Sequence, residues 1–159
     1  MAELLPTIED QIVVFTLDEL KYAIPLHSVK RVIHAVEIRF LPEAPEIISG
    51  IINVQGQIIP VVNLRERFAL ADREISLDDQ IIIADTGKRQ IAIVVDSVSG
   101  VNDLAQVPMK EAGKILPYAK NLKGVAIIND ELILIYNLEK FLSLDEEKLL
   151  EKAMKTKKK

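Results

Sequence analysis

The apolar residues of the chain fall into short runs rich in Ile and Val that are separated by polar turns. The runs Gln11–Leu17 and Tyr22–Leu26 flank an acidic turn, and this arrangement predicts a β-hairpin. Residues 28–33 are expected to form a short helical turn. Residues 35–41 should form an extended segment that ends at two prolines.

A second hairpin is predicted further along the chain. Residues 51–54 and 58–62 are dominated by Ile and Val, and Gly56 between them can adopt the positive φ of a tight turn. Pro60 has no backbone N–H, so its strand is expected at a sheet edge or at a β-bulge. A short helix should follow the hairpin. Three amide side chains lie at the predicted tip: Asn53, Gln55 and Gln57.

Both patterns occur twice in the chain. Residues 11–32 align with residues 80–101 without a gap, and seven of the 22 pairs are identical. Residues 50–64 align with residues 124–138 at a slightly larger offset, which again matches a Gly, two strands and an Asn-Leu pair. Both halves thus have the same order of hairpin, Gly, second hairpin and Asn-Leu pair. A tandem repeat explains this order better than a shared strand pattern alone.

The repeat predicts a mainly β fold in which two small all-β subdomains pack against each other within a single domain, residues 1–159. The approximate units are residues 11–68 for the first subdomain and residues 80–142 for the second, each a curled sheet or a small barrel. The connection over residues 102–122 contains two prolines and is expected to be irregular, with one helical turn near residues 109–112.

The C-terminal residues 143–159 are predicted to form a helix with a lysine-rich tail. Ser143 and Glu146 have the spacing of a capping box. Four apolar side chains follow at helical spacing and should dock the helix on the body: Leu149, Leu150, Ala153 and Met154.

The composition narrows the class of protein. The 22 Ile residues against 4 Phe, 3 Tyr and no Trp indicate an interior built by β-branched packing rather than by aromatic stacking. The absence of Cys excludes disulfides, thiolate metal sites and thiol catalysis. The N-terminus lacks the features of a secretory signal, and no apolar run approaches the ~20 residues of a membrane helix. A cytoplasmic protein is therefore expected.

Charge is unevenly distributed along the chain. Five Lys in the last eight residues mask an acidic body with 15 basic and 24 acidic residues, so the net charge of −4 becomes −9 without them. An acidic body argues against nucleic acid as a partner. The lysine tail suits contact with an anionic membrane surface, although a solvated terminus is the commoner use of such a sequence.

No set of catalytic, cofactor-binding or metal-binding residues can be identified. His27 and His34 are the only histidines, and their spacing does not pair them as ligands on one helix. Four carboxylates at predicted strand ends and turns are expected to satisfy local backbone donors: Asp78, Asp79, Asp85 and Asp96. By elimination the chain is a binding module rather than an enzyme. The alternatives are a small β-barrel hydrolase and a barrel that binds another ligand, such as an oligosaccharide or nucleic acid.

A longer motif points to a family. The pattern G-x-x-N-x-x-G-x-x-x-P-x-x-x-L-R begins at Gly50 and ends at Arg65. Phe-Thr-Leu and Tyr-Ala-Ile-Pro-Leu precede it in the first hairpin, and Val-Val-Asp-Ser-Val follows at residues 94–98. Over about residues 10–150 the chain resembles the CheW domain of bacterial chemotaxis.

The resemblance implies two five-stranded SH3-like β-barrels with a groove between them. It also implies a scaffold that joins the cytoplasmic tip of methyl-accepting chemotaxis receptors to the regulatory domain of the histidine kinase CheA. Such a scaffold needs no cofactor, is a monomer when free, and is recruited from the cytoplasm to membrane-associated receptor arrays without inserting into the membrane.

In this family the receptor side uses the groove, whereas the sequence does not identify the residues that face the kinase. The receptor-binding residues that the resemblance implies are Val29, Arg31, Gly50, Asn53, Gln55, Gly56, Arg65, Val98 and Val101.

Position 55 departs from the family pattern, in which Arg is common. Gln55 lacks the charge and the bidentate fork of a guanidinium, so a receptor carboxylate would accept a neutral hydrogen bond there, with Arg31 or Arg65 supplying the charge. Other interpretations of the residues stay open. In one alternative, Gln55 is only a turn residue. In others, the two glycines are needed for backbone conformation alone, and the three valines belong to the core.

Overall fold

A computed structural model describes residues 11–103, 109–110 and 122–157. The strands are β1 (Gln11–Leu17), β2 (Leu20–Pro25), β3 (Val29–His34), β4 (Ile48–Val54), β5 (Gln57–Val62), β6 (Gln80–Asp85), β7 (Gln90–Val95), β8 (Ser97–Asp103), β9 (Met109–Lys110), β10 (Leu122–Ile128) and β11 (Glu131–Tyr136). The helices are α1 (Leu64–Arg67) and α2 (Leu144–Lys157), and 3-10 turns cover Leu26–Ser28 and Leu138–Lys140.

These strands form two sheets. Sheet A has the order β8-β1-β2-β11-β10-β9, and sheet B has the order β3-β6-β7-β5-β4. The two-residue strand β9 makes sheet A six-stranded by pairing with β10. The predicted mainly β fold with two β subdomains, short helices and a C-terminal helix is confirmed.

Each sheet takes strands from both repeat units. Sheet A joins β1 and β2 of the first unit to β8, β10 and β11 of the second, and sheet B joins β6 and β7 of the second unit to β3, β4 and β5 of the first. The expected subdomains were residues 11–68 and residues 80–142. The strands instead pair across these two units. The first hairpins of the two units have changed places, so the sequence repeat and the sheets do not coincide.

Four ladders connect one repeat unit to the other. β1 pairs with β8 and β3 pairs with β6, both antiparallel. β2 pairs with β11 and β5 pairs with β7, both parallel. These ladders are two copies of the same pair of contacts, which is why five strands follow equivalent orders in the two sheets.

Two-residue turns close three of the hairpins. The residues Asp18-Glu19, Gln55-Gly56 and Asn129-Asp130 all have positive φ. Positive φ at both central residues is the conformation of a type I′ turn, whose twist matches that of the flanking strands. The positive φ predicted for Gly56 is confirmed at 88°.

Buried side chains form three groups. The largest, here called the central core, draws on both sheets, from Phe15 and Ile24 to Ile82 and Ile93, and includes Leu150 of α2. Sheet A also encloses a smaller group: Ile12, Val14, Ala23, Ala126, Ile133 and Ile135. The corresponding group in sheet B is Ile52, Ile59, Val61, Ile81, Ile83 and Ala92. Separating the two sheets would expose the central core to water.

Five aromatic rings pack together at the central core, four of them stacked and Phe141 edge-on to Phe68. The ring centroids of Phe68 and Tyr136 are 4.3 Å apart, and those of Tyr22 and Phe68 are 4.7 Å apart. Phe15 and Phe141 extend this group at 5.9 and 6.0 Å from their neighbours. The buried core is otherwise mostly Ile and Val, as the composition predicted, and the few aromatic residues add stacking in this one place.

Two predictions of helical turns are wrong. Val29–His34 is strand β3, because its β-branched side chains pair with β6, and only Leu26–Ser28 preceding it forms a 3-10 turn. Met109–Lys110 is a strand as well. The rest of the predicted turn near residues 109–112 and most of the 102–122 connection lie outside the described residues.

Pro60 lies in β5, which is an interior strand and not an edge strand. It stands opposite Ile51, whose own N–H and C=O bond to Arg39 on the other side of β4. This is the non-hydrogen-bonded kind of antiparallel pair, so β4 needs no donor from Pro60. The ladder with β7 starts only at Val61. The missing N–H therefore removes no ladder bond.

Helix α2 packs on the body as predicted. The Ser143 hydroxyl accepts a hydrogen bond from the Glu146 N–H at 3.1 Å, and the Glu146 carboxylate accepts one from the Ser143 N–H at 2.8 Å, which is a capping box. Leu150 and Ala153 are buried, whereas Leu149 is half exposed. Within the described ranges, no helix is long and apolar enough to cross a membrane.

Candidate functional site

A polar cleft of about 360 Å³ lies beside the tip of the β4–β5 hairpin. Val54, Ile59 and Ile83 contribute its apolar surface. We call this feature the amide cleft, and its polar side chains are Lys30, Arg31, Gln55, Gln57 and Gln90.

Hairpin geometry places the amides of the cleft. The Gly56 N–H donates to the Asn53 side-chain oxygen at 2.8 Å, which fixes the turn that presents Gln55. The Gln57 side-chain amide donates to that of Gln90 at 3.2 Å. The parallel pairing of β5 with β7 thus brings together two amides that lie 33 residues apart in the sequence.

The two cations of the cleft are available to a ligand. Lys30 and Arg31 are exposed on β3, an edge strand of sheet B. Neither has an ion-pair partner among the residues that the structure describes. Two unpaired cations beside three amides favour a ligand with carboxylate or phosphate oxygens, which accept charge-assisted hydrogen bonds from such groups.

The predicted valines lie on the two edge strands β3 and β8. Val29 and Val98, which are repeat equivalents, are partly buried and pack against the central core. Val101 is 52% exposed. Val29 and Val98 are therefore partly core residues, as one interpretation had it. Val101 is not a core residue.

Asn53 lines a second cleft, of about 300 Å³. Val36 and Ile58 give this cleft partly exposed apolar surface, and Arg39 lies at its rim beside Asn53. The amide of Asn53 is exposed while its oxygen already accepts the turn hydrogen bond, so only its N–H₂ group remains to donate to a ligand.

Gly50 is buried in β4 and is explained by a close backbone approach. A Cβ atom at this position would lie 2.2 Å from the carbonyl oxygen of Arg39. Residue 39 pairs with Ile51 along the outer side of β4, so the clash would fall on backbone atoms. The structure thus gives Gly50 a packing role and leaves it little surface for a partner.

Arg65 lines neither of these two clefts, and its ion pairs argue against the prediction that it supplies charge to a receptor. Its guanidinium bonds to Asp18 at 2.8 Å, to Asp96 at 3.2 Å and to the Ala71 carbonyl at 3.1 Å. Only 10% of its side chain is exposed. Arg65 is fully engaged in holding the molecule together.

Arg73 extends these contacts into an ion-pair network. Its guanidinium makes two bonds to Asp79, of 3.0 and 2.7 Å, and a third to Asp96. Asp96 also accepts a hydrogen bond from the Asp18 N–H at 2.8 Å. The network, defined as Asp18, Arg65, Arg73, Asp79 and Asp96, ties the first hairpin of sheet A to α1 and to the strands of sheet B.

The network lowers the pKa of two of its carboxyl groups. Burial opposes ionisation of Asp96, but hydrogen bonds from the Asp18 N–H and from Arg73 outweigh it and lower the pKa of Asp96. Burial likewise opposes ionisation of Asp79, and bonds from Arg73 and the Ser76 N–H lower its pKa. Both groups are thus structural anions, as their positions at turns predicted. The Asp85 carboxylate also satisfies a local backbone donor, as predicted, by accepting the Gly87 N–H at 2.7 Å.

Sequence reasoning missed Lys30 and Gln90 as members of the cleft. Lys30 is one residue from Arg31, so an alternating strand pattern would have placed it on the opposite face. Gln90 joins the cleft through the pairing of β5 with β7, which crosses the repeat units and leaves no local signal.

The match to a family model decides what kind of protein carries these clefts. Residues 11–146 match the CheW-like domain. The chain belongs to the CheW family.

Relatives of this CheW-family protein agree with the assignment. It is 27% identical to the chemotaxis protein CheW of Klebsiella aerogenes over 154 residues, covering 94% of this chain and 92% of that one. It is 28% identical to CheW of Thermotoga maritima, covering 84% and 88% of the two chains. Protein FrzA of Myxococcus xanthus is 27% identical, with coverage of 84% and 86%.

A solved structure extends the likeness to three dimensions. The scaffolding protein TtCheW from Thermoanaerobacter tengcongensis superposes with a TM-score of 0.74 at 31% identity, covering 89% of this chain and 96% of that one. The chain is thus a CheW-family scaffold of chemotaxis. Among its described residues, no three His, Cys, Asp or Glu side chains are grouped so that they could hold a metal ion.

Proposed function

We propose that this protein is a non-enzymatic adaptor that couples methyl-accepting chemotaxis receptors to the histidine kinase CheA through two protein surfaces. The observation that carries the proposal is membership of the CheW family over residues 11–146. The solved relative described as a scaffolding protein supports it. The ionised Asp residues are engaged by Arg and backbone N–H groups, which speaks against their use in a hydrolase.

The receptor surface in this proposal is the amide cleft together with positions on the hairpin turn and on the edge strands β3 and β8. It comprises Arg31 and Gln55 in the amide cleft, Gly56 in the turn, Asn53 in the second cleft, and Val29, Val98 and Val101 on β3 and β8. Arg31 supplies the positive charge that Gln55 lacks, because both side chains line the same cleft. A carboxylate on a receptor helix could accept hydrogen bonds from both.

The adaptor works in the cytoplasm in this proposal and joins receptor arrays by binding alone. It is a monomer when free. Each of its two contacts is expected to bury about 800 Å² per partner or less, so that many weak contacts act together in an array.

A co-sedimentation experiment tests the proposed function. The full chain is mixed with receptor cytoplasmic fragments, with CheA, or with both, and the pelleted fraction is measured. We expect binding to each partner alone and a ternary complex with both. Failure to bind either partner would overturn the proposal.

Substitutions in the amide cleft test the receptor surface. Arg31→Ala and Gln55→Glu should each weaken receptor binding by about tenfold, because one removes the charge and the other repels a carboxylate. Binding to CheA and the thermal midpoint should stay near those of the wild type, since both side chains are exposed.

Lys140→Ala is the matched control for Arg31→Ala. Lys140 is also an exposed cation, but it lies in the 3-10 turn Leu138–Lys140 and lines neither cleft. It should leave receptor binding within about twofold of the wild type. If Gln55→Glu lowers both interactions together with the thermal midpoint, Gln55 is a turn residue and not a contact.

A further inference from the structure

Strand β3 has a β-bulge near its start, and this bulge explains which of its side chains reach the amide cleft. Val29 pairs with Ala84 on β6, and Arg31 pairs with the adjacent residue Ile83. Lys30 is therefore an extra residue in the ladder. A bulge bends its strand and redirects side chains, and here the consecutive residues Lys30 and Arg31 line one cleft. A regular strand would place them on opposite faces.

The bulge itself belongs to the fold, because the second repeat unit has it as well. On β8 the ladder with β1 passes from Val98 to Gly100 and leaves out Ser99. Ser99 and Gly100 are the repeat equivalents of Lys30 and Arg31. The two units thus share the bulge, whereas the two positive charges occur in the first unit alone.

The equivalent site in sheet A is unsuited to an anion. The Ser99 hydroxyl accepts a hydrogen bond from the Lys21 ammonium at 3.3 Å, and Glu131 takes the place of Gln57. A carboxylate at that position repels an anionic ligand. Of the two copies, the one in sheet B therefore combines the bulge with two cations that have no ion-pair partner among the described residues.

The amides of the cleft also present hydrogen-bond donors. The bond from Gln57 uses the side-chain oxygen of Gln90, so the N–H₂ group of Gln90 is left to donate to a ligand. A single carboxylate would balance one of the two cations, and a second anionic group is needed to balance the other. The cleft therefore fits a partner that presents two carboxylates close together.

We propose that Lys30 is a specificity-determining residue of the receptor contact, and that with Arg31 it selects a receptor helix carrying two acidic side chains three or four positions apart. Such side chains lie on one face of a helix with their Cβ atoms ~5–6 Å apart, so both can enter one cleft. This inference rests on the proposed adaptor function, because it names the chemistry that the receptor surface recognises.

Calorimetry of the full-length protein with receptor cytoplasmic fragments tests the role of Lys30. Lys30→Met keeps the aliphatic stem and removes the charge. It should weaken receptor binding by about five- to tenfold at ~0.05 M salt, and the difference from the wild type should shrink at ~0.5 M salt. Lys30→Arg should bind like the wild type. Binding to CheA and the thermal midpoint should not change, because Lys30 is exposed.

Lys140→Met is the matched control, because Lys140 is an exposed Lys that lines neither cleft. It should bind the receptor fragments like the wild type at both salt concentrations. An equal loss in Lys140→Met and Lys30→Met would reflect the net charge of the protein and would overturn the inference.

A double-mutant cycle identifies the acidic pair on the receptor. Acidic residues three or four positions apart in the receptor fragment are changed to their amides, pair by pair, and each fragment is bound to the wild type and to Lys30→Met. For one pair, the combined loss should be smaller than the sum of the separate losses, because both changes remove the same contact. If no acidic pair couples to Lys30, the inference is wrong.

The remaining outcomes separate this inference from the adaptor function. If the wild type binds the receptor and Lys30→Met binds it equally well at low salt, Lys30 is not a determinant although the adaptor function stands. If Lys30→Met weakens binding to CheA instead, the bulge faces the kinase and the inference is wrong. Absence of wild-type binding to the receptor fragments would overturn the receptor contact itself.

Discussion

At the scale of single residues, the family motif combines positions with different tasks. Gly50 accommodates the close backbone of Arg39, and Arg65 lies in the ion-pair network. Asn53 shapes the turn through its bond to Gly56. Gln55, at a variable position inside the motif, has a side chain that lines the amide cleft. One motif thus contains both the scaffold of the hairpin and its contact residue.

Gly50→Ala tests the packing role of this glycine. The new Cβ would have to displace the Arg39 backbone, so we expect a loss of about 2–4 kcal/mol in the free energy of unfolding. Urea denaturation would measure it. Gly56→Ala is the comparison, because a Cβ there meets no atom within 4 Å and only the positive φ of 88° opposes it, at a cost of about 1 kcal/mol. Equal losses in the two variants would contradict the close-approach explanation.

Residue types in the sequence predicted some of these roles and not others. The φ of Gly56 follows from turn chemistry, and the engagement of Asp96 follows from its place at a strand end. The burial of Arg65 could not be predicted, because its partners Asp18 and Asp96 lie 47 and 31 residues away in sequence. A charged residue in a motif signals function or a salt bridge equally well until the fold is known.

At the scale of elements, the ion-pair network and α2 fasten parts of the molecule that the ladders do not join. The network holds the segment between α1 and β6 through Arg73. Helix α2 is held by Glu146, which bonds Arg67 at 2.6 Å, and by Glu147, which bonds Arg89 at 2.9 Å. The capping box could be predicted from the sequence. These long-range ion pairs could not, because the sequence does not show which elements become neighbours.

The network should make stability depend on pH in the acidic range. The pKa values of Asp79 and Asp96 are lower in the folded protein than their usual value of 3.8. The stabilisation is therefore complete above the unfolded pKa and is lost as the pH falls through the lowered folded values. Thermal midpoints measured from pH 6 to pH 2 should fall steeply below about pH 4.

Asp96→Asn checks which group is responsible. It should lower the free energy of unfolding at pH 7 by about 1–3 kcal/mol, because two guanidinium groups lose a charged acceptor. It should also flatten the acid limb of the profile. An unchanged acid limb would mean that other carboxyl groups carry the pH dependence.

At the scale of the whole molecule, the exchange of hairpins between the repeat units makes one folding unit out of two repeats. Each sheet is incomplete without strands from the other half of the chain, and the central core belongs to both sheets. The sequence predicted the number and type of strands because the hairpin signals are local. It did not predict which hairpin completes which sheet, because equivalent hairpins present nearly the same pairing surface to either partner.

Fragments of the chain should show this dependence directly. Peptides covering residues 1–75 and 76–159 should each lack stable sheet structure by circular dichroism, because each would have to leave strand edges and half of the central core exposed. The intact chain should unfold in one cooperative transition with coincident spectroscopic probes. A fragment that folds alone with native-like dispersion in NMR spectra would contradict the exchange.

The exchanged hairpins also bear on how a signal could cross an adaptor of this kind. The described chain passes between the sheets twice, from β2 to β3 and from β7 to β8, and the parallel ladders β2–β11 and β5–β7 lie in the interior of the sheets. Two short connections, and not one flexible linker, therefore join the sheets in the part of the chain that the structure describes. A displacement imposed at one end of sheet B should reach the other end as a movement of the whole body, in the manner of a lever and not of a hinge.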